Sequence, residues 1–104
     1  MSEKFLGLSD ENLVEKCKQN DQEAYSFLVM RYLFVVRSRA AAYKGEIDFE
    51  DLVQEGLIGL MNAVNYFDKS FGTSFSTFAT LCIDRNILSA VRKTLSKKQI
   101  PNLH

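Results

Sequence analysis

The sequence predicts an all-α protein, a compact bundle of about four helices. Three observations carry this prediction. Proline occurs once, at Pro101, so no proline breaks a helix before the C-terminal end. Apolar residues recur at helical spacing, and no run alternates with the period of two that marks a strand. With 104 residues, 46% hydrophobic and 25% charged, the chain has the size and composition of one ordinary globular domain around a single core.

The elements follow in order. Ser9, with Asp10 and Glu11 behind it, reads as an N-cap with an acidic first turn, opening a short helix to about Gln19. Asn20-Asp21 supplies a turn and the next cap. The following helix, from Gln22 to about Lys44, is apolar around most of its circumference between Phe27 and Val36, as expected of a central helix touched on several sides, and Gly45 ends it. Asp48, with Asp51 three positions on, caps a third helix to about Phe67 whose apolar side holds Leu52, Leu60, Ala63 and Phe67. Gly56 and Gly59 share that side and each costs the helix roughly 1 kcal/mol relative to alanine, so a close helix crossing is expected there. Residues 68–74 read as a loop, and a fourth helix runs from about Phe75 to Ser96, stopped before Pro101.

Composition excludes several function classes. No segment approaches a membrane span, and Met1 to Phe5 lacks the layout of a secretory signal, so the expected location is cytoplasmic. The only cysteines, Cys17 and Cys82, fall in apolar-periodic helices and read as small buried hydrophobes. The single histidine, His104, leaves no basis for a histidine triad or a zinc site with two histidines, and no metal or cofactor is expected.

The net charge of zero hides a segregation. Between Glu46 and Asp68 there are six acidic residues and no Lys or Arg, whereas from Arg85 to Ile100 there are five basic residues and no Asp or Glu. One end suits phosphate and the other a different partner, although two solvated faces would read the same way.

On a helical wheel the fourth helix divides. Ala79, Cys82, Ile83, Ile87, Ala90 and Thr94 span about 140° and form a core side, while Phe78, Leu81, Arg85, Ser89, Arg92 and Ser96 span about 80° elsewhere. Lys93 and Lys97 flank that stripe and Lys98 follows it. A stripe that begins aromatic and ends cationic suits nucleic acid, because cations neutralise phosphates and a ring stacks on a base. The competing reading places Phe78 in a wider apolar core face. On the third helix Asp51, Gln54, Glu55, Ile58 and Asn62 line one side, with Leu57 and Met61 beside them. Carboxylates around aliphatic anchors fit a protein interface, and they lack the His, Lys or Tyr partners of an acid-base site, so no catalytic residue and no enzyme is expected.

The segment DLVQEGLIGLMNAVNYFD, Asp51 to Asp68, followed by FGTSFSTFATLCIDRNI, Phe71 to Ile87, resembles region 2 of sigma-70 family factors, and Leu8 to Val36 is similar to the opening of that region in alternative factors. The run Leu81-Cys82-Ile83 and the basic tail ending at Pro101 look most like the sporulation-type sigma-H group. The resemblance implies a transcription-initiation protein whose third helix docks on the clamp helices of the RNA polymerase β′ subunit. The docking helix it implies holds Asp51, Leu52, Val53, Gln54, Glu55, Gly56 and Met61, and the exposed side read above adds Leu57 and Ile58. It further implies that Phe75, Phe78, Leu81, Arg85, Ser89, Arg92, Lys93, Lys97 and Lys98 face the non-template strand of the promoter minus-ten element, where a flipped-out adenine is captured. An anti-sigma factor is a further candidate partner.

The chain departs from primary factors, which carry two adjacent tryptophans at Leu81 and Cys82 and a tyrosine at Phe78. Weaker opening or stricter promoter requirements would follow. Leu57 stands where a polar residue is common. A single domain is expected over residues 1–104, structured from about 8 to 100, with the C-terminal domains that read the minus-thirty-five element absent. The alternatives are a helical interaction module and a duplex-DNA-binding regulator. The second lacks a short helix and tight turn ahead of a basic recognition helix.

Overall fold

The computed structural model describes residues 3–43, 45 and 47–99, with side chains over 4–43, 45 and 47–96. Its four α-helices are α1 (Asp10–Lys18), α2 (Gln22–Ala41), α3 (Phe49–Tyr66) and α4 (Phe75–Gln99), and there is no strand among the described residues. The expected stop at Pro101 lies outside them.

Each helix start is set by a side chain that satisfies a backbone N–H the helix cannot satisfy itself. Ser9 Oγ accepts from Asn12 N at 3.1 Å, Asp21 Oδ1 from Ala24 N at 3.0 Å, Asp48 Oδ1 from Asp51 N at 3.1 Å and Ser74 Oγ from Thr77 N at 3.2 Å. Between α1 and α2 the chain turns without slack. Asn20 adopts φ +66°, with Asn20 N donating to Cys17 O at 3.0 Å and Asp21 N to Lys16 O at 3.1 Å. This paired pattern closes a helix on a left-handed residue, a conformation asparagine tolerates. Asp21 thus ends one helix and caps the next.

Two helix ends differ from the sequence expectation, and α4 is the simpler case, running on to Gln99 rather than stopping near Ser96. α2 ends at Ala41 rather than near Lys44, because its last turn tightens into three-residue bonds, Ala42 N to Arg39 O at 3.3 Å and Tyr43 N to Ala40 O at 3.1 Å. Gly45, at φ +116°, serves the reversal beyond it. The 68–74 loop contains a single 3-10 turn, Lys69–Phe71, capped by Asp68 Oδ1 accepting from Ser70 N at 2.8 Å and ended by Gly72 at φ +75°.

α3 and α4 form the most intimate pair, and the two helical glycines explain why. A Cβ on Gly59 would lie 2.5 Å from the Cys82 carbonyl oxygen and 2.8 Å from Ile83 Cα, so backbone meets backbone there. A Cβ on Gly56 would lie 2.7 Å from Val36 Cγ1 of α2 and 3.2 Å from Ile87 Cδ1 of α4. The expected close crossing is therefore present, and it joins three helices. Around it Leu28, Val36, Leu52, Leu60, Ile83 and Ile87 are completely buried, and among the described residues no polar or charged one is buried with them.

α2 touches all three other helices, as its apolar circumference predicts, yet one side stays open: Met30 is 57% and Phe34 80% exposed. Phe5, in a 3-10 turn (Glu3–Phe5) ahead of α1, is buried against Phe27 at 5.6 Å between ring centroids. No described helix is long and apolar enough to cross a membrane.

Candidate nucleic-acid interface and docking face

The expected strand-facing stripe of α4 is on the surface. Leu81, Arg85, Ser89, Arg92, Lys93 and Ser96 are exposed, and Phe78 is half-buried. The Lys97 and Lys98 side chains lie outside the described residues. Phase along the helix produces this arrangement: the buried set Ala79, Ile83, Ile87 and Val91 repeats every four residues against α3 and turns the stripe outward. Val91 belongs to that core side, which the sequence wheel did not assign to it.

Phe75 does not share the stripe. It stands one turn before Ala79 on the core side and is completely buried, with its ring edge-on to Tyr32 at 5.7 Å and to Phe67 at 5.4 Å. Its place facing DNA is corrected to a core place beneath the stripe. Phe78 divides its ring between the two environments, packing on Phe67 at 5.8 Å and on Phe71 at 5.5 Å while keeping an accessible side. The rings of Tyr32, Phe75, Phe67, Phe78 and Phe71 touch in that order, the first three buried and the last 52% exposed. Phe71 was not among the expected site residues. It sits in a turn, where no helical period marks it, and only its closeness to Phe78 in space brings it to the site.

The docking side of α3 separates similarly. Asp51, Gln54, Ile58 and Met61 are exposed, and Glu55 and Leu57 are half-buried. Leu52 and Val53, expected on this side, are 0% and 3% exposed and belong to the core. Of four consecutive helical residues only the first and fourth share a face, so Asp51 and Gln54 point out while Leu52 and Val53 rotate onto neighbouring helices.

The two surfaces are not at opposite ends of the molecule. α3 and α4 border one open groove of about 620 Å³, with Asp51, Gln54 and Glu55 on one wall and Arg85, Ser89 and Lys93 on the other. Asn86, also unforeseen, lines it as well. Among the described residues no ion pair spans the groove, and its carboxylates and cations all remain open to other partners. A second, shallower depression of about 510 Å³ continues along α4 past Arg92 to Ser96. Both cysteine thiols are pushed up from their ordinary range, chiefly by burial, so neither is an activated nucleophile. No group of three metal-ligating side chains occurs among the described residues.

The sequence that builds this bundle matches the family model for sigma-70 region 2 over residues 28–96. The chain belongs to the sigma-70 family. It is of the sigma-H type: over 100 residues, 95% of its length, it is 40% identical to the RNA polymerase sigma-H factor of Bacillus subtilis (strain 168) and 39% identical to that of Bacillus licheniformis. It is also 34% identical over 106 residues to the RNA polymerase sigma factor SigA of Mycoplasma pneumoniae, matching 21% of that protein. The chain spans a little under half the length of the two sigma-H factors, 46% and 45%.

Proposed function

We propose that this chain is the part of a sigma factor that docks on core RNA polymerase through α3 and captures the non-template strand of the minus-ten element along α4. One observation supports the reading above the rest: the acidic-aliphatic wall and the aromatic-to-cationic stripe are both exposed, charged and without ion-pair partners among the described residues, side by side across one groove.

The β′ clamp helices are the partner we assign to Asp51, Gln54, Glu55, Leu57, Ile58 and Met61, with the aliphatic side chains as anchors and the charges as rim. Leu52 and Val53 support that face from the core. On α4 we assign phosphate contacts to Arg85, Arg92 and Lys93, and to Lys97 and Lys98 from the sequence alone. Stacking falls to Phe78 and Phe71, beside Leu81. Capture requires no bond chemistry. Unstacking a base costs a few kcal/mol, and stacking and pocket contacts return about 1–3 kcal/mol per base, so the separated strand is held by binding equilibrium and the protein acts without being an enzyme. A cytoplasmic location accompanies this role, and an anti-sigma factor covering either face fits the same surfaces.

The test is direct. The chain should bind the clamp-helix segment of β′ and, separately, single-stranded promoter DNA in preference to its duplex, with an affinity that falls steeply as salt rises. Gln54→Ala and Glu55→Ala should each weaken β′ binding by more than about 1 kcal/mol while changing stability by less than ~0.5 kcal/mol. Unchanged affinity in both variants would move the interface elsewhere.

A further inference from the structure

The family match begins at residue 28, so α1 lies outside it, yet α1 sends its polar side chains to the aromatic end of the molecule. Glu11 Oε2 accepts from Phe75 N at 2.8 Å, across 64 residues of sequence. Asp10 Oδ2 accepts from the Tyr32 hydroxyl at 2.5 Å, and the Tyr32 ring stands against Phe75. Lys18 Nζ donates to the Phe67 carbonyl at 2.5 Å. All these bonds end on the buried part of the ring series that leads out to Phe78 and Phe71, and none reaches the exposed face of α3.

The first of them has a specific geometric task. Ser74 caps α4 by accepting from Thr77 N, which leaves the Phe75 N–H as a donor in the same first turn. A carboxylate there makes a charge-assisted bond and also meets the positive end of the helix dipole. Because Phe78 lies one turn further along α4, whatever fixes the orientation of Phe75 fixes the ring that meets the base.

We propose that α1 is a clasp for the strand-capturing end and that Glu11 is a positioning residue, which sets the first turn of α4 and through it the pose of Phe78. The proposal rests on α4 being the strand-binding helix. Toward DNA the carboxylate is unfavourable, since a negative charge at this end repels an approaching phosphate backbone. Its hydrogen bond to Phe75 N supplies the compensating purpose.

That opposition of sign makes the proposal testable with Glu11→Ala and Glu11→Gln, read by anisotropy of a short fluorescein-labelled single-stranded DNA of adenine and thymine. Glu11→Ala removes the acceptor and should weaken DNA binding by about 3- to 10-fold. Glu11→Gln keeps an acceptor oxygen and drops the repelling charge, so it should bind as well as the unmodified chain or tighter. Affinity for the β′ clamp segment should be unchanged in both. Hydrogen exchange at the Phe75 amide should accelerate in the alanine variant and stay slow in the glutamine variant. Equal tightening in both variants would reduce Glu11 to a repelling charge and overturn the proposal, as would a parallel loss of DNA and β′ affinity, which marks a general structural role. Failure of the unmodified chain to bind the DNA would instead count against strand capture itself. In that event the clasp is still judged by the Phe75 amide, and unchanged exchange in Glu11→Ala would overturn it.

Discussion

Phe75 and Phe78 are the same residue type three positions apart, and their surroundings give them different consequences. Phe75→Ala empties a fully buried site touching two other rings and should cost about 3–5 kcal/mol, enough to lower Tm by more than ~10 °C. Phe78→Ala removes a half-buried ring and should cost less, roughly 1–2 kcal/mol, while losing about 5- to 150-fold in affinity for single-stranded DNA and leaving β′ binding intact. Thermal melting and strand binding measured on both variants separate the roles, and a Phe78→Ala loss as large as that of Phe75→Ala would make Phe78 a core residue only. Tyr32 carries a pH signature. Burial, and then its hydrogen bond to Asp10, hold its hydroxyl well above the ordinary value of 10. A group whose proton is held more tightly in the folded state contributes stability that is complete below the unfolded value and is lost as pH rises above it. Stability should therefore decline above about pH 10, and Tyr32→Phe should make that decline shallower. The same variant should lose roughly 1.5–3 kcal/mol at neutral pH by forfeiting a bond to a charged acceptor. An unaltered alkaline slope in chemical denaturation would show that other groups govern it.

At the scale of the helices, starts were readable and ends less so. Ser9, Asp21 and Asp48 each stand immediately before an apolar-periodic run and each caps as its chemistry demands, because an N-cap acts within three residues. The end of α2 was misplaced because Gly45 signals a reversal but not how the preceding turn winds. Site residues followed the same logic. The exposed stripe of α4 came from its period, whereas Leu52, Val53 and Phe75 were assigned from a contiguous family motif, which does not distinguish the residues that touch a partner from those that hold the touching ones in place. Phe5 and Phe71 lie outside the periodic runs and became visible only through contacts. The glycines were the most informative signal, since their cost within a helix demanded a tertiary reason. Gly59→Ala should force the α3–α4 backbones apart and cost about 1–3 kcal/mol net of the alanine helix preference, or roughly 5–20 °C in Tm. Gly56→Ala meets side-chain ends instead and should cost less; calorimetry giving the reverse order would mean that the crossing does not pivot on Gly59.

For the whole molecule, the balance of charge matters more than its zero sum. The groove between α3 and α4 keeps its carboxylates and its cations from neutralising one another, so added salt should weaken β′ and DNA binding separately, each through its own wall. Lys93→Ala should reduce DNA affinity about equally for every sequence and lower the log-log salt slope by roughly 0.7–0.9, while Arg85→Ala, nearer the rings, should also change sequence preference. An unaltered slope for Lys93→Ala would leave that side chain a solvated bystander. The contact at Gly59 has one more consequence. What meets it is the carbonyl and main chain of residues 82 and 83, not their side chains. The main chain alone thus sets the angle between α3 and α4 at this crossing, and Leu81, 53% exposed one position earlier, is free to change without disturbing it.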